Sequence, residues 1–255
     1  MELLNADDSQ PVTVHRAGAA PTFLFTCDHA GRRTPLRLNR LGLPEAAFDL
    51  HIAWDIGAGA LTERLSAALG ACCVLQTYSR LVIDCNRDPQ APDAAPAVSD
   101  GVAIPGNLAL TPDALAERMR AIHAPYHAAI ARELDARKAR DLPTIVVFMH
   151  SFTPRMGGQD RPWHLGVLHE GGSPFSRIVF ELLSALPGYV VGDNQPYAMD
   201  GVDYSAPRHA IGRGLDYLEL EVRQDLIADE AGQARIADLL QTVLPQALAR
   251  LGAES

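Results

Sequence analysis

The sequence predicts an α/β fold: a single domain built on a mixed, mostly parallel sheet with helices on both faces. Short apolar runs of strand length alternate with longer segments of helical period. One run, residues 143–151 (PTIVVFMHS), is apolar almost throughout, as a strand covered on both faces must be. No internal repeat and no linker divides the 255 residues, a length at which one domain buries a full core.

In chain order, residues 1–18 carry no period and read as irregular. Residues 21–27 (PTFLFTC) read as a strand that breaks at Asp28, His29, Ala30 and Gly31. Residues 55–70 set Leu61, Leu65 and Leu69 on one helical stripe, with Gly70 as the stop. ACCVLQ (71–76) and SRLVIDCN (79–86) read as a second and third strand. Residues 88–109 hold four Pro and no period, which makes a long loop of the kind that covers sites or moves. Thr111 caps a helix that has Pro112 at its first position and runs to about Arg140, with a kink or break at Pro125. After strand 143–151, HLGVLHE (164–170) reads as a strand, SPFSRIVFELLSAL (173–186) as a helix and YVVGDN (189–194) as a strand. LDYLELEVRQDL (215–226) is a last strand with alternating faces, and residues 229–252 form a closing helix bent at Pro245.

Composition narrows the function classes. Hydrophobic residues make up 47% and charged residues 21%, which excludes a disordered chain. Twenty-two Lys+Arg against 31 Asp+Glu give a net charge of −9, which argues against broad binding of nucleic acid or anionic membrane. A small anion in a local cationic pocket remains compatible with it. Cys27, Cys72, Cys73 and Cys85 form no CxxC pair and sit in apolar runs, so they read as buried free thiols. The segment MELLNADDSQ lacks the basic and apolar regions of a secretory signal, and no run reaches the ~18–20 apolar residues of a membrane span. The expected setting is the cytoplasm.

The chemistry is sought beyond the carboxyl ends of strands, where open α/β sheets bind ligands. Asp28 and His29 follow the first strand, Asn86 and Arg87 the third, His150 and Ser151 the central one, and Glu221 and Arg223 lie near the last. Two His, a carboxylate and a cationic pair at such points suggest a metal site with an anion clamp. A His after a strand is more often a hydrogen-bonded surface residue, but His150 ends the apolar run 145–149, where a polar group needs a partner. Asp28 either orients an imidazole or caps the turn. Asp55 opens the Leu61/Leu65/Leu69 helix, so it is either an N-cap or a third metal ligand, and His51 competes for the latter role. Glu221 lies either on the solvated face of an edge strand or in a site, as the general base for a metal-activated water. Asn86-Arg87-Asp88-Pro89 is a turn by default; its Arg can hold a carboxylate bidentately. His123 and His127 have ligand-like i, i+4 spacing, but Pro125 between them disturbs the helix that a second metal site would need.

Eight segments share a resemblance. They are CDHAGRRTP (27–35), HIAWDIGAGALTERL (51–65), YSRLVIDCNRDP (78–89), PYHAAI (125–130), VVFMHSFTP (146–154), RPWHLGVL (161–168), VGDNQPY (191–197) and LELEVRQDLI (218–227). In this order they resemble the N-formylglutamate amidohydrolase family, and more distantly the zinc carboxypeptidases and the aspartoacylase and succinylglutamate desuccinylase group. The resemblance implies a zinc exopeptidase-type hydrolase fold, Zn²⁺ as cofactor and a small anionic N-acyl amino acid as partner. VIDCNRDP is similar to the segment that holds the substrate's carboxylate, VVFMHSF to the strand that ends in the second zinc His, and LEVR to the segment that carries the general base. Where the wider group has His-x-x-Glu, this chain has His29-Ala30-Gly31-Arg32, which makes Asp55 the replacement ligand and His51 the alternative.

The implied site therefore has His29, Asp55 and His150 on zinc and Glu221 as base and then acid. Asn86 and Arg87, with Arg80 or Arg223, would bind substrate carboxylates. His127, Arg161, Asn194 and Tyr197 are further pocket candidates. The expected reaction is hydrolysis of the amide of an N-acylated acidic amino acid such as N-formylglutamate. The rivals are a carboxypeptidase or other small-amide deacylase on the same fold, and a catalytically silent carboxylate-binding homologue.

Overall fold

The computed structural model describes residues 2–171, 173–199 and 201–254. In chain order the strands are β1 (Val12–His15), β2 (Phe23–Cys27), β3 (Cys72–Gln76), β4 (Val98–Ser99), β5 (Val102–Ala103), β6 (Ile145–Phe152), β7 (Arg155–Met156), β8 (Gln159–Asp160), β9 (Leu165–Leu168), β10 (Val191–Asp193) and β11 (Asp216–Arg223). The α-helices are α1 (Ala58–Ala68), α2 (Pro112–Arg118), α3 (Ala124–Lys138), α4 (Pro174–Ser184), α5 (Ser205–His209) and α6 (Glu230–Glu254).

Seven strands form one mixed sheet in the order β1-β3-β2-β6-β11-β9-β10. The pairs β2/β3, β2/β6, β6/β11 and β9/β10 are parallel; β1/β3 and β9/β11 are antiparallel. The apolar run at 143–151 is thus the fourth of seven strands. Its alternate residues serve two cores. Ile145, Val147 and Met149 meet Leu61 and Leu65 of α1, Phe175 and Ile178 of α4 and Leu240 and Leu244 of α6. Val146 and Phe148 meet Ile122, Tyr126 and Ile130 on the opposite side. A period of two on a sheet with both faces covered gives this division. All four cysteines are free and buried within these cores.

Three expectations need correction. The N-terminal segment is not all irregular: Val12–His15 pairs along β3, in a strand too short to announce itself by alternation. Residues 79–86 are turns rather than a strand. There Val82 N–H donates to Ser79 O, Leu81 N–H to Ser79 Oγ and Asn86 N–H to Asp84 Oδ1, so local acceptors take the donors a ladder would need. The long loop 88–109 carries the β4/β5 hairpin. The helix from Pro112 does not break at Pro125. A π-helical stretch, Met119–His123, joins α2 to α3, and such a bulge accommodates a ring that would clash with the carbonyl four residues before it. Helix α6 continues through Pro245 to Glu254. Among the described residues no helix is long and apolar enough to cross a membrane.

Candidate active site

Strands β2, β6 and β11 run parallel and end at one edge of the sheet, and the site forms there. Alternation that buries Val146 and Phe148 places His150 next on the same face, and register sets Glu221 beside it. His29 follows β2. Asp55 reaches them because it does not cap α1. The helix is preceded by Gly57 at φ 80°, a left-handed backbone where a Cβ would also overlap the Ile227 carbonyl oxygen, and no side chain caps it. Asp55 N–H donates to His29 O at 3.0 Å, which ties the two loops together.

Asp55 Oδ2 lies 2.9 Å from His150 Nδ1 and 3.3 Å from His29 Nδ1, and accepts from Ser151 N–H at 3.3 Å. Among the described residues, donor atoms of His29, Asp55 and His150 all lie within 4.8 Å of one another. His51 is not in this group; it lines the same cavity with Nε2 3.3 Å from Asp100 Oδ2. The outer imidazole nitrogens meet carboxylates. His29 Nε2 is 2.7 Å from Asp84 Oδ1, and His150 Nε2 is 3.6 Å from Asp28 Oδ2. Asp84 also accepts from Arg80 Nε and Nη2 at 3.0 and 2.7 Å, and Tyr126 Oη donates to Asp28 Oδ1. Both imidazoles turn Nδ1 inward; His29 Nε2 rests on a carboxylate in the way that orients a histidine for a metal, while His150 Nε2 and Asp28 Oδ2 face each other without a hydrogen bond.

Electrostatics point the same way. Burial alone would raise the carboxyls of Asp28, Asp55 and Asp84. The charges and hydrogen bonds of His150 and His29, with Arg80 at Asp84, outweigh it, holding Asp28 at about 2 and the other two below the ordinary range. In return His29 and His150 are raised despite burial, because carboxylates surround them. Asp28, Asp55 and Asp84 are offset by the two imidazoles and Arg80, and two nitrogens with one oxygen make a donor set suited to a zinc-like ion. Glu221 is shifted the opposite way: burial and the Asp55 charge, against His150, His29 and Arg80, push it up to about 7. Its Oε2 is buried without a partner.

The cavity over these groups measures about 580 Å³. Its wall holds seven carboxylates (Asp55, Asp84, Asp93, Asp100, Asp203, Glu219, Glu221) against two guanidiniums, Arg80 and Arg87. A separate cavity of about 520 Å³, lined by Arg32, Arg33 and Arg40 with acidic neighbours, has no His or Cys on its wall.

Of the predicted substrate residues, Arg80, Asn86, Arg87 and Tyr197 line the main cavity. Asn86 is half committed: its Oδ1 accepts Tyr204 and Ser205 N–H, and its Nδ2 donates to Asp203 Oδ1 at 3.0 Å. Arg87 Nε donates to Asp93 Oδ2 at 3.0 Å. Four expected wall residues stand elsewhere. Arg161 lies behind Tyr197, donating to its Oη at 3.0 Å with the guanidinium 4.7 Å from the ring centre. Asn194, at φ 50°, closes a turn by accepting His169 N–H and donating to His169 O. Arg223 is held by Asp225 at 2.7 Å and by Trp163 O, just past the end of β11. His127 is buried behind the site, bonded to Cys85 O and 2.8 Å from His209 Nε2.

Two buried wall carboxylates escaped the sequence reading. Asp84 opens the same Asp-x-Asn-Arg segment whose last two residues were singled out, so the signal was present but assigned one step too late. Glu219 shares the face of Glu221 on β11 and is 2% exposed; the expectation of a solvated face hid it. Burial raises its carboxyl well above the ordinary range, helped by the Asp203 charge and opposed by His150.

The family model for N-formylglutamate amidohydrolase matches residues 22–228. A gene product of Agrobacterium tumefaciens of known crystal structure is 34% identical, with a TM-score of 0.94 over 98% of this chain and 100% of that one. The crystal structure of N-formylglutamate amidohydrolase from Ralstonia eutropha, 21% identical, has a TM-score of 0.64 over 96% of this chain and 100% of its own, and shares the fold. No curated protein matches. The matched span begins just before β2 and ends just after β11, enclosing His29, Asp55, His150 and Glu221, and it shows that this chain belongs to the N-formylglutamate amidohydrolase family.

Proposed function

We propose that the chain hydrolyses the amide bond of a small N-acyl amino acid of the formylglutamate type, with zinc held by His29, Asp55 and His150. Family membership supports amide hydrolysis. The observation that carries the finer reading is Glu221, a buried carboxylate without a partner at Oε2, in the same cavity as the three donors.

Zinc, when bound, supplies a Lewis acid for the amide carbonyl and acidifies water. The chain's own residues do the rest. Glu221 accepts a proton from water as the water oxygen adds to the carbonyl carbon. It returns that proton to nitrogen as the C–N bond breaks, releasing a carboxylic acid and a free amine. Asp84 holds the His29 imidazole in orientation through Nε2. Arg87 and Asn86 take the substrate's carboxylate with the donors they keep free, and Arg80 balances Asp84 and Asp55 beside them.

The test compares metal-stripped and zinc-reloaded protein on N-formylglutamate and a panel of N-acyl amino acids and short peptides. Turnover of acyl amino acids that returns with zinc is expected. Full activity of the stripped protein would contradict the metal role, and cleavage of peptides alone would favour a carboxypeptidase.

A further inference from the structure

We propose that Glu219 sets the preference of this chain for an acidic side chain: its carboxyl O–H donates a hydrogen bond to the substrate carboxylate that lies further from the scissile amide. The inference rests on the amidohydrolase reading above and gives the second carboxylate of a formylglutamate-type substrate a partner. Glu219 is 2% exposed, lines the cavity and has a buried Oε2 with no hydrogen-bond partner. A carboxyl withdrawn from water without a partner keeps its proton, because the charged form bears the cost of burial. The charges around it act in the same sense: Asp203, Glu221 and Asp28 add to burial, and His150 opposes. A neutral acid in a cavity wall is a hydrogen-bond donor to an anion, where an ionised one would repel it.

Its position suits that role. Glu219 and Glu221 share one face of β11, two residues and so about 7 Å apart along the strand. Glu221 lies beside His150 at the strand end, and Glu219 lies further in, beside Phe148. A substrate whose amide meets Glu221 can extend its side chain inward to Glu219, past Asn86 and Leu168 of the same cavity. The guanidiniums leave the role open. Arg80 is engaged by Asp84 at 2.7 Å and Asp55 at 3.5 Å. Arg87, bonded to Asp93 at 3.0 Å, is the cation proposed above for the first carboxylate. A carboxyl O–H bonded to a carboxylate is among the stronger hydrogen bonds, and it receives the second one without a further cation.

The experiment uses the zinc-loaded full chain and compares Nα-formylglutamate with Nα-formylnorvaline, whose side chain ends in a methyl in place of the carboxylate. The expected kcat/KM favours formylglutamate by about tenfold or more. Glu219→Gln, which keeps a neutral donor, should retain most of that preference. Glu219→Leu, which keeps only the bulk, should lower it by about tenfold, mainly through KM. A wild-type preference of one or less, or a preference that Glu219→Leu leaves unchanged, overturns the proposal. So does a Glu219→Gln variant that loses as much as Glu219→Leu. Infrared difference spectra serve if Glu219→Leu fails to fold. Adding the product glutamate should shift the C=O stretch of a protonated carboxyl in the wild-type protein, and that band should be missing from Glu219→Gln. Difference spectra that the substitution leaves unchanged overturn the proposal. If neither formyl compound is cleaved, the hydrolysis reading fails by itself. Tighter calorimetric binding of formylglutamate than of formylnorvaline, kept in Glu219→Gln and lost in Glu219→Leu, still supports the donor, and equal binding overturns it.

Discussion

Behind the active site, His127 and His209 form a buried pair whose neutrality ties stability to pH. Their rings stack 5.1 Å apart, with His127 Nδ1 2.8 Å from His209 Nε2, and His123 and Tyr204 pack against His127. Burial lowers His209 from 6.5 to about 4, with the charges of Arg208, Arg213 and His123 adding to it and Asp28 opposing. A folded value below the unfolded one means that the unfolded chain takes the proton first. The stability contributed is therefore whole above pH 6.5 and is lost as pH falls toward 4. At pH 5 the unfolded histidine is protonated and the folded one is not, which costs about 2 kcal/mol for this residue by linkage. His209→Gln keeps a nitrogen near the Nε2 position and removes the titration. Urea unfolding of wild type and variant at pH 7.5 and pH 5 isolates the effect, since every other titrating group is common to both. The wild-type protein should lose about 2 kcal/mol more than the variant between the two pH values. Equal losses would refute the claim that His209 is buried in neutral form.

Other outcomes follow from the site and the fold. Glu221→Gln should lower kcat by about 10²–10⁴-fold while bound metal, read by elemental analysis, stays at the wild-type level. Asp84→Asn leaves His29 Nε2 without its charged acceptor and should weaken zinc binding by roughly 10–100-fold in a chelator competition. Gly57→Ala puts a Cβ into the Ile227 carbonyl at φ 80° and should destabilise by more than about 1 kcal/mol in urea unfolding. Leu65→Ala, at a fully buried position of α1, should cost about 2–5 kcal/mol in the same assay.

Elements set by periodicity were legible in the sequence. The Leu61/Leu65 stripe, the Thr111 cap with Pro112 and the apolar run of β6 each declare a local preference that tertiary structure kept. The two site histidines were legible because polar residues close apolar strands. What escaped depended on distant partners. Leu81, Val82 and Ile83 are apolar enough for a strand, yet they pack as turns because Asp84 and Ser79 capture nearby backbone donors. Asn194 and Arg223 carry suitable chemistry, but His169 and Asp225 hold them in other duties. The place of Glu219 depended on β11 lying inside the sheet, between β6 and β9, which alternation alone does not specify.

His29, Asp55 and His150 are proposed to hold one metal ion. Elemental analysis of the purified wild-type protein and of Asp55→Ala, each exposed to equal zinc and then desalted, tests it most directly. One tightly held zinc per wild-type chain is expected, and its loss from the variant. A wild-type protein that retains no metal, or a variant that retains as much, would contradict it.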